Sequence, residues 1–397
     1  MEHQRGRGMW SAALAMALLI GVFPQFALGA LGPQLRDDLG LSPADLGLAF
    51  TALYVLGVAG SPVAGPLADR IGGRIACLGL LLVSGASLWA ASLVSTRFGL
   101  LAAMVPAGAA MALANPGTTR WAAAAATPRQ QASLVGIAQA GVQAGALVAG
   151  GLAAAAALGL DWRGALRIGA LIAAIGAVAT WYGPRDHAKG TSASAPDGDT
   201  SSQASPAVRR ARRSLAGYAL LMGGGTAIVF AYLPSYGVDV VELSIPVAGA
   251  TTMVFGVTAL ICRLLLGAVL RRDDQVGPRL LSIMSVGAAA SIGLIAAGGI
   301  SPLWLWPGVV LFGATGTTWP VAAYLAVLRH SPRGSAGRIT GWVTASFYLG
   351  LWMTPAIAGR VIAELGYPFV WLGAGVLYLT AMTAARSLPR RRARDSA

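Results

Sequence analysis

Charged residues are scarce in this sequence, and acidic residues are the scarcest of them. Only 11% of the 397 residues are charged, with 15 Asp and Glu against 29 Lys and Arg. A soluble globular domain carries about 25% charged residues. This deficit, together with 56% hydrophobic residues and a mean hydropathy of +0.66, indicates that much of the chain lies in lipid.

Cysteine and histidine are also rare. The two cysteines, Cys77 and Cys262, lie in apolar stretches and are interpreted as small buried hydrophobic residues. The three histidines, His3, His187 and His330, fall in predicted loops or tails, and metal-ligand spacing is absent from the sequence. Catalysis would need clustered acids, histidines or metal ligands in the apolar segments. We therefore predict no metal, no cofactor and no enzyme activity.

Twelve apolar segments follow one another along the chain, and each is long enough to cross a bilayer as a helix. Helices are expected because lipid cannot satisfy the backbone polar groups of irregular structure. We number the segments as spans 1 to 12. They cover residues 10–30, 46–66, 75–94, 98–120, 132–157, 164–183, 214–234, 247–270, 279–299, 303–328, 338–358 and 367–387. The sequence therefore predicts an all-α polytopic membrane protein.

Basic residues lie mainly in every second loop. If the N-terminus is cytoplasmic, the outer loops hold only Arg36, Arg97, Arg163, Arg167 and Arg360. Because Lys and Arg accumulate in cytoplasmic loops, we expect both termini in the cytoplasm and a multi-pass protein of the bacterial cytoplasmic (inner) membrane. The net charge of +14 follows from this topology, so the lipid bilayer is expected as the partner and nucleic acid is not.

A polar stretch between spans 6 and 7 divides the spans into two sets of six. Small polar residues from Gly190 to Pro206 are typical of a flexible segment, and the basic run Arg209–Arg213 follows them. We expect this run to contact anionic lipid headgroups. The predicted organisation is an N-terminal six-helix bundle at 1–183, a cytoplasmic flexible linker with the basic run at 184–213, and a C-terminal six-helix bundle at 214–397.

The two halves share features at a nearly constant separation. Pro116 in span 4 aligns with Pro320 in span 10, and the end of span 2 at Gly65–Arg70 aligns with the end of span 8 at Gly267–Arg272. Such matches indicate two similar six-helix halves related by an axis along the membrane normal.

The most specific motif is Gly65-Pro-Leu-Ala-Asp69-Arg70-Ile-Gly72-Gly73-Arg74, between spans 2 and 3. It resembles the G-x-x-x-D-R-x-G-x-R signature of the major facilitator superfamily, and the layout is similar over the whole chain. The resemblance implies twelve transmembrane helices in two pseudo-symmetric halves, and transport of a small-molecule substrate by a monomer. It also implies a conformational latch formed by Gly65, Asp69, Arg70, Gly72 and Arg74.

Physical reasoning about the same residues supports this interpretation. Gly65 would let span 2 approach a neighbour closely, and Asp69 can accept hydrogen bonds from a helix N-terminus. Arg70 and Arg74 can pair with acids or with helix-end carbonyls. The alternative is a tight turn that only sets topology. The second half carries Arg271 where the signature has its aspartate, which weakens a latch there.

Two further stretches resemble motifs of the same superfamily. Gly141, Gly145 and the pair Gly150-Gly151 in span 5 are similar to an antiporter motif, but they lack its proline and their spacing is one residue longer. Packing between helices is therefore favoured for these glycines. Asn115–Arg120, together with Gly136–Gln143, resembles carriers grouped with cyanate and nitroimidazole transporters.

Ionisable residues inside a membrane are costly, so each is a candidate functional residue. Arg263 in span 8 lies eight residues before Arg271, about 12 Å deeper at 1.5 Å per residue. It either extends to the interface or binds an anion in a central cavity with its planar guanidinium. Arg120 in span 4 is either a boundary charge or a second anion contact.

Uncharged polar and aromatic residues within the spans complete the predicted site. The candidates are Gln25, Tyr54, Asn115, Gln139, Gln143, Tyr232, Trp319 and Tyr348, with Trp352 beside them. Gln139 and Gln143 share a helix face that should look into the bundle. Because the sequence places no Asp or Glu clearly within a span, we predict secondary transport of a small organic or inorganic anion by alternating access. The alternative is efflux of neutral or hydrophobic compounds.

Overall fold

The computed structural model describes residues 2–123, 128–185, 206–270, 278–323 and 336–388. Within these ranges, ten helices are long and apolar enough to cross a membrane. They correspond to spans 1 to 9 and to span 12. Where they are described, span 11 is helical and span 10 is helical apart from a turn at 316–318. The all-α polytopic fold predicted from the apolar segments is therefore confirmed.

The described part of the first half contains one helix that the apolar pattern did not predict. This is α2, an eight-residue polar helix between the first two spans. The helices are α1 (Glu2–Ala30), α2 (Gly32–Leu39), α3 (Pro43–Ile71), α4 (Gly73–Ala91), α5 (Arg97–Ala122), α6 (Pro128–Ala154) and α7 (Trp162–Tyr182). A short 3₁₀ turn, Ala155–Leu158, follows α6.

The second half has a discontinuity in its tenth span. The helix α11 ends at Thr315, residues 316–318 form a turn, and helix resumes at 319. The helices are α8 (Pro206–Asp239), α9 (Ile245–Leu270), α10 (Pro278–Ala297), α11 (Leu305–Thr315), α12 (Ala336–Leu365) and α13 (Tyr367–Arg386). The second copy of the signature, at Arg271 and Arg272, lies outside the described residues.

Polar side chains fix where several spanning helices begin. The Ser42 hydroxyl accepts a hydrogen bond from the Asp45 amide at 3.1 Å, and the Asp45 carboxylate accepts one from the Ser42 amide at 3.0 Å. This reciprocal capping starts α3 at Pro43, three residues before predicted span 2. Asp161 caps α7 in a related way, accepting from the Gly164 amide at 2.7 Å.

The basic run before span 7 is helical. The helix α8 begins at Pro206 and includes Arg209–Arg213, eight residues before the predicted start of the span at 214. Proline suits the first position of a helix because the amide it lacks would have no intrahelical partner there. Of the predicted flexible linker at 184–213, residues 186–205 lie outside the described residues.

The described residues fall into two compact units. Unit 1 lies within Met1–Ser192, Phe230–Val257 and Pro355–Glu364, and unit 2 lies within Ala193–Val229, Thr258–Thr354 and Leu365–Ala397. Unit 1 thus combines the helices of the first half with one end of α8, α9 and α12. The predicted division into bundles at the linker stays a prediction.

The packing of α6 on α1 in unit 1 depends on glycine. A Cβ atom at Gly141 would overlap the Ala15 carbonyl group, and one at Gly145 would lie 2.8 Å from a Val22 methyl group. The two glycines are four residues apart, so they lie on one face of α6. Small residues let two membrane helices approach closely. The helix-packing interpretation of this motif agrees with these contacts.

Candidate functional site

The signature loop joins α3 to α4 through a conformation that favours glycine. Gly72 has φ = 88°, a left-handed value that side chains disfavour. The loop then places Arg74 against the C-terminus of α7, where its Nε donates to the Thr180 carbonyl at 3.1 Å and an Nη donates to the Trp181 carbonyl. The guanidinium also lies 5.5 Å from the ring centre of Trp181. A cation at a helix C-terminus is favoured by the helix dipole.

The other charged residues of the predicted latch are more exposed than Arg74. Arg70 is exposed, and Asp69 is 73% exposed. Asp69 lies 3.4 Å from Arg120 of α5, and exposed ion pairs of this kind contribute about 0–1 kcal/mol. Arg120, a candidate anion contact, therefore pairs with the signature motif. The sequence alone could not show this pairing, because it depends on how α3 packs against α5.

The close approach expected at Gly65 is not seen among the described residues. No described heavy atom lies within 4 Å of a Cβ atom placed at Gly65. The buried face of α3 at this level consists of Ala64 and Ala68, which are 3% and 1% exposed. Gly65 lies on a different side of the helix, and its part in the latch stays a prediction.

We expect Arg74→Gln to lower the stability of the protein by about 1–2 kcal/mol, because charged hydrogen bonds to two carbonyl groups are lost. The measurement is thermal unfolding of the purified protein. The matched control is Arg70→Gln, which removes the same charge from an exposed neighbour and should change stability little. Equal effects of the two substitutions would show that the Arg74 contacts contribute nothing specific.

An amide pair links α5 and α6 in unit 1. Gln139 Nε2 donates to Asn115 Oδ1 at 3.0 Å, and both side chains are exposed. Gln143, on the same face of α6 one turn later, is 3% exposed. The structure thus brings two candidate residues together in an accessible position, while Gln143 is enclosed by protein.

Gln25 and Tyr54 form a second polar pair in unit 1. The Tyr54 hydroxyl donates to Gln25 Oε1, and the two residues are 0% and 6% exposed. The next residue of α1, Phe26, contacts Phe230 and Phe255 with ring centres 4.9 and 6.0 Å away. Sequence reasoning missed these phenylalanines because aromatic residues in apolar segments look like ordinary core.

Tyr232 of α8 is buried near the start of α3. Its hydroxyl lies 2.7 Å from the Pro355 carbonyl oxygen of α12 and 3.1 Å from that of Pro43. On the same side of unit 1, Arg36 of α2 pairs with Asp239 of α8 at 2.5 Å. Tyr232 therefore joins three helix segments through backbone carbonyls, and its predicted substrate contact stays a prediction.

Arg263 of α9 contacts the discontinuity in the tenth span. One guanidinium Nη donates to the Thr317 carbonyl at 2.8 Å, and the side chain is half-buried. Unit 2 also holds Trp319, which is 2% exposed and lies edge-on to Tyr218 and Phe347 at 5.5 and 5.3 Å between ring centres. Tyr348 follows at 5.8 Å from Phe347. Unit 2 thus contains both Arg263 and an aromatic cluster.

A bundle of apolar spanning helices with isolated polar groups at membrane depth is typical of a multi-pass membrane transporter. The family model described as Major Facilitator Superfamily matches residues 9–351. The chain belongs to the major facilitator superfamily, a family of transporters of small molecules across a lipid bilayer. The resemblance seen in the signature motif is confirmed.

Relatives and solved structures agree with this family. The chain is 26% identical over 401 residues to the probable nitrate/nitrite transporter NarK2 of Mycobacterium tuberculosis (strain CDC 1551 / Oshkosh), covering 94% of each chain. A crystal structure of the nucleoside transporter NupG has a TM-score of 0.75 at 14% identity, covering 96% of this chain and 100% of that one. A crystal structure of the D-xylose-proton symporter has a TM-score of 0.73 at 17% identity, covering 97% and 98%. At these identities the structures show the fold alone.

Proposed function

We propose that the protein is a secondary transporter of a small anion such as nitrate or nitrite, working by alternating access. Arg263 carries this proposal, because it is the only charged residue of α9. It lies seven residues before the end of that helix at Leu270, about 10 Å from the end at 1.5 Å per residue. A guanidinium at such depth is suited to hold an anion with oxygen acceptors.

The distribution of acidic residues supports an anionic substrate. In the described parts of the spanning helices, every Asp and Glu lies within three residues of a helix end. These residues are Glu2, Asp45, Asp69, Asp239 and Glu364. A cationic substrate would require a carboxylate at membrane depth, since an unpaired buried cation is costly. The charge that does lie there, on Arg263, favours an anion.

The exposed amide pair Asn115 and Gln139 offers hydrogen-bonding groups in unit 1. Amide N–H groups donate to oxyanions without adding charge. Gln143, Gln25, Tyr54, Tyr232, Trp319 and Tyr348 remain proposed contacts of lower accessibility in this structure, and Arg120 is a proposed second cation. The name of the mycobacterial relative, whose alignment covers 94% of this chain, agrees with an anionic substrate.

The charge pattern supports an orientation with both termini in the cytoplasm of a bacterium. Three of the five arginines expected in outer loops are paired with carboxylates: Arg36 with Asp239, Arg97 with Asp45, and Arg163 with Asp38. The hydrogen bond from Arg163, with a second from Trp162, holds the pKa of Asp38 below its usual value. At the other end of α3, Arg70 and Arg74 lie beside the single acid Asp69, as the positive-inside rule expects.

The experiment is a ligand screen on purified protein by thermal unfolding. Nitrate, nitrite, small carboxylates, neutral solutes and lipophilic cations are compared for wild type and Arg263→Gln. A ligand at a hundredfold excess over its dissociation constant adds about 2.7 kcal/mol of stability. We expect stabilisation by small anions in wild type and a loss of affinity of roughly 10- to 100-fold in Arg263→Gln, because a charged hydrogen bond contributes about 1.5–3 kcal/mol.

The matched control is Arg279→Gln, which removes one positive charge from the exposed start of α10. This variant should bind anions as wild type does. If Arg263→Gln binds anions as wild type does, Arg263 does not hold the substrate. If instead only hydrophobic compounds stabilise the protein, anion transport is refuted. Efflux of neutral or hydrophobic compounds then becomes the better interpretation.

A further inference from the structure

The turn in the tenth span leaves two backbone carbonyls without their helical partners. Pro320 has no N–H group, so the Gly316 carbonyl four residues earlier cannot be paired within the helix. The Val321 amide donates to the Thr318 carbonyl at 3.1 Å, which is the tighter 3₁₀ pattern. The Thr317 carbonyl thereby loses the partner that a continuous α-helix would supply. Lipid offers no replacement, so protein groups must.

Two side chains from neighbouring helices of unit 2 donate hydrogen bonds to these carbonyls. The Thr226 hydroxyl of α8 donates to Gly316 O at 3.1 Å, and an Arg263 Nη of α9 donates to Thr317 O at 2.8 Å. Thr226 is 2% exposed, whereas Arg263 is half-buried. The break at Pro320 therefore creates a fixed acceptor that anchors one edge of the Arg263 guanidinium.

We propose that the turn at 316–318 acts as a specificity device. It holds the Arg263 guanidinium in place, so that the guanidinium prefers planar anions with two oxygen acceptors over spherical anions. The proposal rests on the anion-transport function assigned to Arg263. A guanidinium is a planar fork that binds two oxygens in parallel, provided that its plane is held. An arginine without an anchor keeps its charge but loses this geometric preference. Pro320 and Thr226 are then positioning residues, and they need not touch the substrate.

The test compares the affinities of nitrate and bromide, two monovalent anions of different shape, for the purified full-length protein. In Pro320→Ala the helix can continue, and Thr317 O can accept from Val321 instead of from Arg263. We expect nitrate affinity to fall roughly tenfold, the loss of about one charged hydrogen bond, while bromide affinity changes by no more than about twofold. Arg263→Lys, which keeps the charge without the fork, should lower the same nitrate-to-bromide ratio.

Two further variants make the result interpretable. Pro106→Ala in α5 removes a proline from another spanning helix and should leave the ratio unchanged. Thr226→Val removes the hydroxyl that donates to Gly316 O while keeping the side-chain volume similar. It should also lower the nitrate-to-bromide affinity ratio, so the proposal can be tested even if Pro320→Ala fails to fold.

The outcomes separate the two proposals. If wild type binds neither anion, both the transport function and the specificity device are overturned. Suppose that wild type binds nitrate and Arg263→Gln does not, while Pro320→Ala and Thr226→Val keep the wild-type nitrate-to-bromide ratio. The anion site then stands, and the role of the turn at 316–318 in specificity is refuted. An unfolding temperature that falls with no change in the ratio also counts against the device, because a purely structural break predicts that result.

Discussion

Replacing Tyr232 by phenylalanine is expected to loosen the end of unit 1 at which α3 begins. The substitution removes a buried hydroxyl that contacts the carbonyls of Pro43 and Pro355, which belong to α3 and α12. The loss of a buried hydrogen bond to these helix carbonyls costs about 0.5–1.5 kcal/mol. Because these segments come from the two predicted halves of the chain, we expect the loss to appear as local opening in addition to lower stability.

Local opening can be measured by the reactivity of a cysteine at Ser235, in a background with Cys77→Ala and Cys262→Ala. Ser235 lies almost one turn after Tyr232, is 0% exposed, and its hydroxyl has no hydrogen-bond partner among the described residues, so the replacement breaks no described bond. Maleimide labelling of the purified protein should be slow with Tyr232 and roughly tenfold faster with Tyr232→Phe, the change that about 1.4 kcal/mol produces.

The control is Tyr218→Phe. Tyr218 is equally buried, and its hydroxyl donates to the Leu281 carbonyl at 3.0 Å within unit 2. This variant should lose a similar amount of stability without changing the labelling of Ser235→Cys. If both phenylalanine variants accelerate labelling equally, the effect is general destabilisation, and Tyr232 does not hold this end closed.

Apolar length predicted the spanning helices of this protein because lipid leaves the backbone few alternatives. The same signal is blind to polar helices, which is why α2 and the arginine-rich start of α8 were missed. The discontinuity at Pro320 was visible only as an aligned proline. The similar Pro116 lies within the continuous helix α5, so proline alone does not determine a break.

The candidate site was harder to predict because it depends on which polar groups meet. Asn115 and Gln139 were chosen separately, and their contact follows from the packing of α5 on α6. Arg263 was found because a charge in an apolar segment is conspicuous. Thr226, which supports the same break, was missed because a threonine in such a segment most often bonds its own helix.

The close packing of α1 and α6 leads us to predict that a large side chain at Gly141 strongly destabilises the protein. A leucine at Gly141 would place side-chain atoms where the Ala15 carbonyl group now lies, and backbone cannot move aside as a flexible side chain can. Overpacking costs about 1–3 kcal/mol when neighbours adjust, and we expect at least the upper end of that range here. Gly141→Leu should therefore reduce the yield of monodisperse protein in size-exclusion chromatography and lower its unfolding temperature.

Gly136→Leu provides the comparison on the same helix. No described atom lies within 4 Å of a Cβ atom at Gly136, and the residue is exposed, so this substitution adds the same side chain without a clash. It should also raise helix propensity, since glycine is disfavoured in helix interiors by about 1 kcal/mol. We expect Gly136→Leu to fold at least as well as wild type. Similar losses for both leucine variants would mean that α6 tolerates no bulk on either face, and that the Gly141 contact with α1 does not determine the packing of unit 1.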